Sequence, residues 1–283
     1  MRIVRSISEV REIVRQARRD GSTVGLVPTM GALHEGHLSL VRRARPDSDL
    51  VVVSLFVNPA QFSADEDLGA YPRDEAHDAE LAADAGGDIL FAPPVEEIYP
   101  EGFATSIHVS GLTEVLCGAH RGAGHFDGVA TVVTKLFHIV APDVAYFGQK
   151  DAQQVLVIRR LVRDLDIAVR IQACPIVREP DGLAMSSRNA YLDPAARAQA
   201  TALNRALDAA ETAVARGETR AQSIVAAAHD VLTDAGIEPE YLELRSPDDL
   251  RELDDVGEAA LLAVAAQVGR ARLIDNRILK AVS

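Results

Sequence analysis

Val24-Gly25-Leu26-Val27-Pro28-Thr29-Met30-Gly31-Ala32-Leu33-His34-Glu35-Gly36-His37 decides how this chain is organised. The apolar run Val24–Val27 reads as a buried strand, which gives way to a turn over Met30–Gly36 and then a helix to about Arg45. A strand that breaks at a glycine and reopens as a helix leaves unpaired backbone N–H groups at the helix start, a setting that suits a phosphate. His34 and His37, three apart, fall on one face of the first turns beside that same phosphate. Far downstream, Met185-Ser186-Ser187-Arg188-Asn189 follows Arg178-Glu179-Pro180-Asp181-Gly182 and offers hydroxyl donors and a permanent cation from the opposite side. Together the two segments point to attack at the α-phosphate of a nucleoside triphosphate.

Working outward, Leu50–Val57 is a second continuous apolar strand, the pattern of a strand covered on both faces. Helices are expected over 7–19, 75–85, 127–140 and 152–164, with strands at Ile89–Phe91 and Val144–Phe147. A polar loop is expected from Phe62 to Tyr71, and a Pro-rich one over 93–100. Strand and helix alternating in this way predict an α/β fold with a doubly wound, Rossmann-like parallel sheet. The character changes near residue 177. An Ala-rich helical stretch over 194–235 is followed by short apolar runs at 241–244, 260–265 and 272–275, suited to a small antiparallel sheet. The expected organisation is a nucleotide-binding domain over 1–176 and a smaller α+β lid domain over 177–283.

A length of 283 residues, 48% hydrophobic and 25% charged, is that of a soluble globular enzyme. No apolar run reaches the roughly 18 residues that span a bilayer, so no membrane partner is expected. The N-terminus lacks a signal peptide's apolar segment, and Cys117 and Cys174 are the only cysteines, so a reducing cytoplasm is expected. A formal charge of −13 repels nucleic acid. Of the 29 bases only Lys135, Lys150 and Lys280 are lysines, which draws attention to the first two.

Gln61, in Asn58-Pro59-Ala60-Gln61-Phe62, follows the second strand at its carboxyl end, where doubly wound sheets bind ligands. Its amide can bond a hydroxyl and a carboxylate without adding charge. Gly148-Gln149-Lys150-Asp151 lies at another strand end, where Asp151 suits ribose hydroxyls and Lys150 suits a phosphate. Plainer roles compete: helix or turn caps for His34, His37, Ser186 and Ser187, and core packing for Met30. Zinc on His34 and His37 is rejected, since two ligands with no third nearby make a poor site.

These segments, with Phe56-Val57-Asn58-Pro59-Ala60-Gln61-Phe62, Tyr71-Pro72-Arg73 and His125-Phe126-Asp127-Gly128-Val129, resemble the pantoate–β-alanine ligase family of the nucleotidylyltransferase superfamily over nearly the whole chain. The resemblance implies a two-step, AMP-forming reaction. Pantoate attacks Mg-ATP to give pantoyl adenylate and pyrophosphate, and β-alanine then forms the amide, a coenzyme A precursor. It implies ATP binding by Pro28, Thr29, Met30, Gly31, His37, Gly148, Lys150, Asp151, Val177, Met185, Ser186, Ser187 and Arg188. Catalytic roles fall to His34, His37, Lys150, Ser186, Ser187 and Arg188, and pantoate binding to Gln61, Gln154, Met30 and His125. Mg²⁺ is implied by the triphosphate, with Asp78 the candidate protein ligand, and a homodimer is implied as the assembly.

One segment departs from the family pattern. Arg-Pro-Gly-His-Phe is replaced by Arg121-Gly122-Ala123-Gly124-His125-Phe126, so Arg121 is expected to be displaced and the loop mobile. The principal alternative is a nucleotidylyltransferase acting on another small acid or phosphate ester. A class I tRNA synthetase is opposed by the acidic charge and the lack of an anticodon-binding region, and a non-catalytic nucleotide sensor by the intact set of phosphate ligands.

Overall fold

Alternation along short apolar strands builds the first layer of the structure. In the computed structural model, which describes residues 1–62, 68–69 and 71–281, Val51, Val52 and Val53 are all fully buried. Leu26, Val52, Phe91 and Phe147 join one core cluster, while their neighbours Val27, Val53, Leu90 and Tyr146 join another. A two-residue period puts those sets on opposite faces of a sheet. Part of the loop expected between Phe62 and Tyr71 lies outside the described residues.

The described residues separate into two compact units. The first comprises 1–114, 118–149 and 154–175; the second comprises 115–117, 150–153 and 176–283. In chain order the elements up to residue 175 are β1 (Arg2–Val4), α1 (Ile7–Arg19), β2 (Val24–Thr29), α2 (Glu35–Ala44), β3 (Leu50–Leu55), α3 (Glu75–Asp84), β4 (Ile89–Phe91), α4 (Val95–Ile98), α5 (Cys117–Arg121), α6 (Ala123–Val140), β5 (Val144–Gly148), α7 (Ala152–Asp164) and β6 (Arg170–Cys174). Among the described residues, the strands form a six-stranded parallel sheet in the order β1-β4-β3-β2-β5-β6. The order reverses between β2 and β5, paired at Gly25↔Val144 and Leu26↔Ala145. Ligands of such sheets bind at the carboxyl ends of the strands on either side of that reversal.

This is the expected doubly wound sheet, with several differences in detail. Helix α6 begins at Ala123, not 127, and absorbs the segment expected to be a mobile loop. Gly122, at φ +82°, makes the junction between α5 and α6. The Pro-rich loop contains α4, and the edge strands β1 and β6 complete the sheet.

The second unit carries α8 (Pro194–Ala200), α9 (Ala202–Ala215), α10 (Ala221–Asp234), β7 (Pro239–Arg245), β8 (Ala259–Val268) and β9 (Ala271–Lys280). The three strands form an antiparallel sheet in the order β7-β8-β9. Ala206, Ala210 and Ala228 are fully buried in a core with Leu262, Val264 and Ala266 of β8, so the alanine bias supplies small side chains where helices meet a sheet. No helix among the described residues is long and apolar enough to cross a membrane.

Helix α6 approaches the turn of a 3₁₀ helix, Pro59–Gln61, through Gly128. A Cβ there would lie 2.3 Å from the Ala60 carbonyl oxygen and 2.6 Å from the Gln61 nitrogen. Overpacking against backbone costs about 1–3 kcal/mol or more, which outweighs the roughly 1 kcal/mol that alanine gains in a helix. Gly128→Ala is therefore expected to lower the thermal midpoint by several degrees. Gly124→Ala, whose Cβ would meet nothing within 4 Å among the described residues, should leave it unchanged or slightly raised.

Candidate active site

The turn after β2 is held by a buried carboxylate. Thr29 Oγ1 donates to the Ser54 carbonyl at 2.7 Å and accepts from the Gly31 N–H at 3.3 Å. Gly31 at φ +87° and Ala32 at φ +50° then carry the chain through left-handed conformations. Asp78 of α3, 2% exposed, accepts the Ala32 N–H at 2.9 Å and the Leu33 N–H at 2.7 Å. A Cβ on Gly31 would sit 3.0 Å from Asp78 Oδ2, a second reason for glycine there.

His34 is the N-cap of α2 and His37 its third residue. His34 Nδ1 accepts the Gly36 N–H at 3.1 Å, and His37 Nδ1 accepts the His34 N–H at 3.4 Å. The rings stand 4.1 Å apart. Because each Nδ1 accepts from a backbone donor, the ring proton sits on Nε2 in both. The expectation of unpaired N–H groups at this helix start is corrected: the amides of residues 31–34, 36 and 37 already have partners, within the turn or on Asp78 of α3. The helix start therefore presents no cradle of open amides among residues 31–34, 36 and 37. The capping role and the proposed chemical role thus use different nitrogens of one ring.

Past β3, Asn58 caps the Pro59–Gln61 turn. Gln61 Nε2 lies 3.1 Å from Met30 Sδ, and Gln61 Oε1 accepts from Asn58 Nδ2 at 3.0 Å. His125 of α6 reaches the Gln61 carbonyl through Nδ1 at 2.9 Å, so that nitrogen carries the proton. His125 Nε2 accepts from Arg121 at 3.1 Å. Arg121, left out of the expected site, is thus brought onto His125 by the α5–α6 junction. Met30 and His125 thus both contact Gln61, while Gln154, expected in the same group, lies on α7.

In the second unit, the Lys150 carbonyl accepts from Asn276 Nδ2 at 2.9 Å, and Lys150 and Asp151 are both partly exposed. Val177 and Met185 close a hairpin, the Met185 N–H donating to the Val177 carbonyl at 2.9 Å. Ser186 Oγ accepts the Arg188 N–H at 3.2 Å and caps the short helix Ser187–Tyr191, so its oxygen has the local role that a cap predicts. Arg188 is exposed. The hairpin is framed by ion pairs: Arg178 with Asp275, whose side chain is 1% exposed, and Arg197 with both Glu179 and Asp181. Arg197 holds the Glu179 and Asp181 carboxyls below their usual range. Asn189 Nδ2 ties Glu179 to the motif at 2.6 Å.

Asp78, the expected metal ligand, fits that task poorly, because it is buried and both oxygens bind backbone N–H groups. Among the described residues no group of three or more His, Cys, Asp or Glu side chains is placed to hold a metal ion. Thr29 likewise has its hydroxyl engaged between β2 and β3. Asn58 and Arg121 were missed as parts of this arrangement. Asn58 was visible in the Phe56–Phe62 segment as an Asn-Pro turn signal, whereas nothing local marks Arg121.

A doubly wound sheet with a capped histidine pair past its switch-point strand defines an α/β protein of the kind whose ligands sit at the carboxyl ends of the strands. A family model described as Pantoate-beta-alanine ligase matches residues 2–278. A pantothenate synthetase of Koribacter versatilis is 53% identical over 282 residues, covering 99% of this chain and 97% of that protein. A pantothenate synthetase of Thermus thermophilus superposes with a TM-score of 0.93 at 48% identity, covering 98% of this chain and 99% of that one. A Francisella tularensis pantoate-beta-alanine ligase, solved complexed with β-γ ATP and β-alanine, gives 0.80 at 34% identity, with 98% and 97% covered. The chain belongs to the pantoate-beta-alanine ligase family.

Asp78→Ala would strand two backbone donors and is expected to destabilise by roughly 2–4 kcal/mol, read as a lowered urea midpoint. Asp78→Asn, which keeps one acceptor oxygen, should fall between the two. For Glu179 and Asp181 the depressed folded values mean that their stabilisation is complete above the unfolded pKa of about 4 and is lost as pH falls below it. Urea midpoints measured from pH 6 down to pH 3 should therefore drop less steeply in Arg197→Met than in the unaltered chain.

Proposed function

We propose that this chain condenses pantoate with β-alanine at the expense of ATP, releasing AMP and pyrophosphate. The observation that carries the reading is the likeness over the whole length to pantoate-beta-alanine ligases, supported by a Gln61 amide held beside Met30. The ligands named for the Francisella tularensis relative, β-γ ATP and β-alanine, fit the same substrates.

In the first step a pantoate carboxylate oxygen forms a bond to the α-phosphorus as the α–β bridging oxygen leaves with pyrophosphate. Gln61, with Gln154, Met30 and His125, holds the acid. His34 and His37 donate from Nε2 to oxygens that gain charge as pyrophosphate departs. Lys150 pairs with phosphate, Asp151 accepts from ribose hydroxyls, and Ser186, Ser187 and Arg188 bind the outer phosphates. In the second step the β-alanine amine bonds to the acyl carbon, AMP leaves, and the amine proton is released. Mg²⁺ arrives with ATP on phosphate oxygens and water, and no step is assigned to a protein-held metal. A cytoplasmic homodimer completes the reading.

An acyl-adenylate route makes the first step reversible without β-alanine. Labelled pyrophosphate should enter ATP when enzyme, Mg²⁺ and pantoate are present, and stop when pantoate is omitted. Lys150→Ala should slow this exchange at least 100-fold, about 3 kcal/mol of lost charge stabilisation, with an unchanged thermal midpoint. Exchange that requires β-alanine, or release of ADP, would falsify the adenylate route.

A further inference from the structure

Tyr99 lies outside every motif discussed above, at the end of α4, yet its hydroxyl reaches the amide pair beside Met30. Tyr99 Oη is 2.8 Å from Asn58 Oδ1. Asn58 is 1% exposed, and two backbone groups fix which way its amide faces. The Ala60 N–H, at 3.3 Å, needs an acceptor, and the Gly128 carbonyl, at 3.1 Å, needs a donor. Oδ1 therefore faces Ala60, Nδ2 faces Gly128, and the Tyr99 hydroxyl must donate. The remaining Asn58 N–H goes to Gln61 Oε1 at 3.0 Å, which turns the Gln61 NH₂ the other way, toward Met30 Sδ.

We propose that Tyr99 is a positioning residue for pantoate: acting through Asn58, it keeps the NH₂ of Gln61, not its carbonyl, facing the substrate carboxylate. The inference rests on the assignment of Gln61 to pantoate made above. A carboxylate only accepts, so the flipped amide would set oxygen against oxygen. Nothing about Gln61 alone chooses between the two orientations, because its amide is symmetric in shape. The choice is made through Asn58, whose amide is held by the Ala60 N–H, the Gly128 carbonyl and the Tyr99 hydroxyl together; Tyr99 supplies the one side-chain donor among the three.

The Tyr99 ring is held for the task. It packs 6.1 Å from the Phe56 ring and 5.0 Å, nearly edge-on, from Phe103. Lys135 places its ammonium 4.6 Å from the Phe103 centroid and 5.9 Å from that of Tyr99. This gives one of the chain's three lysines a place under the aromatic pair, where a cation is favourable. Burial pushes the Tyr99 hydroxyl up to about 12, so the donor stays protonated across any working pH.

Tyr99→Phe keeps the ring packing and removes only the donor. In pyrophosphate exchange with the full chain, its pantoate KM should rise about 3- to 10-fold, the worth of one neutral hydrogen bond. The ATP KM should stay within twofold and the thermal midpoint should hold. Coupling through Gln61 further requires that Tyr99→Phe with Gln61→Ala be no worse than Gln61→Ala alone. Equal rises in both KM values, or independent effects in the double variant, overturn the positioning role. A normal pantoate KM in Gln61→Ala overturns the Gln61 assignment instead, so the two failures are distinguishable. Should Tyr99→Phe not fold, the side-chain NH₂ signal of Gln61 in the unaltered protein, identified by its loss in Gln61→Ala, serves in its place. It should shift on addition of pantoate, and an unshifted pair alongside a raised pantoate KM in Gln61→Ala overturns the donor orientation alone.

Discussion

The hydrogen bonds from Ala32 and Leu33 to one buried carboxylate hold the first unit's site in shape. Ala32 stands in a left-handed conformation that costs an L-residue roughly 1–2 kcal/mol. Two bonds to a charged acceptor, each worth about 1.5–3 kcal/mol, more than offset that. Once the turn is set, His34 falls at the N-cap of α2 and His37 one turn on, where each imidazole accepts a backbone N–H. The nitrogens that start the helix thereby decide which nitrogens carry protons. Asp78 sits more than 40 residues from the turn it governs, so the geometry of the histidine pair depends on α3 docking as much as on its own segment.

The second unit holds its motif by different means. There the Met185–Asn189 segment follows a hairpin whose two ends are pinned by arginines, Arg178 to a nearly inaccessible Asp275 and Arg197 to two carboxylates. Breaking a buried pair on one side leaves an uncompensated charge, whereas the Arg197 pairs are partly solvated and individually weaker. The hairpin is therefore anchored firmly at its base and more loosely near its turn, with Ser186 and Arg188 a few residues beyond.

Much of the architecture was legible because the decisive strands are buried on both faces, and Val24–Val27 and Leu50–Val57 read as continuous apolar runs that mark the strands Val24–Thr29 and Leu50–Leu55. The edge strand Arg170–Cys174 did not, since Arg170 and Gln172 alternate with smaller residues and one edge lacks a strand partner among the described residues. The start of α6 was hidden by two glycines that usually break helices. Candidate site residues could be named from the sequence, Gln61 among them, but not the state in which their side chains are held. The Gln61 amide is oriented by Asn58, itself fixed by the carbonyl of Gly128, 70 residues away along the chain. Local pattern has no access to a bond of that span. The reading of open amides before α2 failed for the same reason: the acceptor that fills them, Asp78, lies on another helix.

Gly128 has a mechanical meaning as well as a steric one. Helix α6 meets the Pro59–Gln61 turn backbone to backbone at Gly128, bonds the Gln61 carbonyl through His125, and receives the Asn58 amide on its own carbonyl. With no flexible side chain between them at the closest point, the turn has little compliance of its own and shares the stiffness of an 18-residue helix. What looks from the sequence like a surface loop belongs to the cooperative unit of α6, so its amides should open with that helix and not with the neighbouring loops.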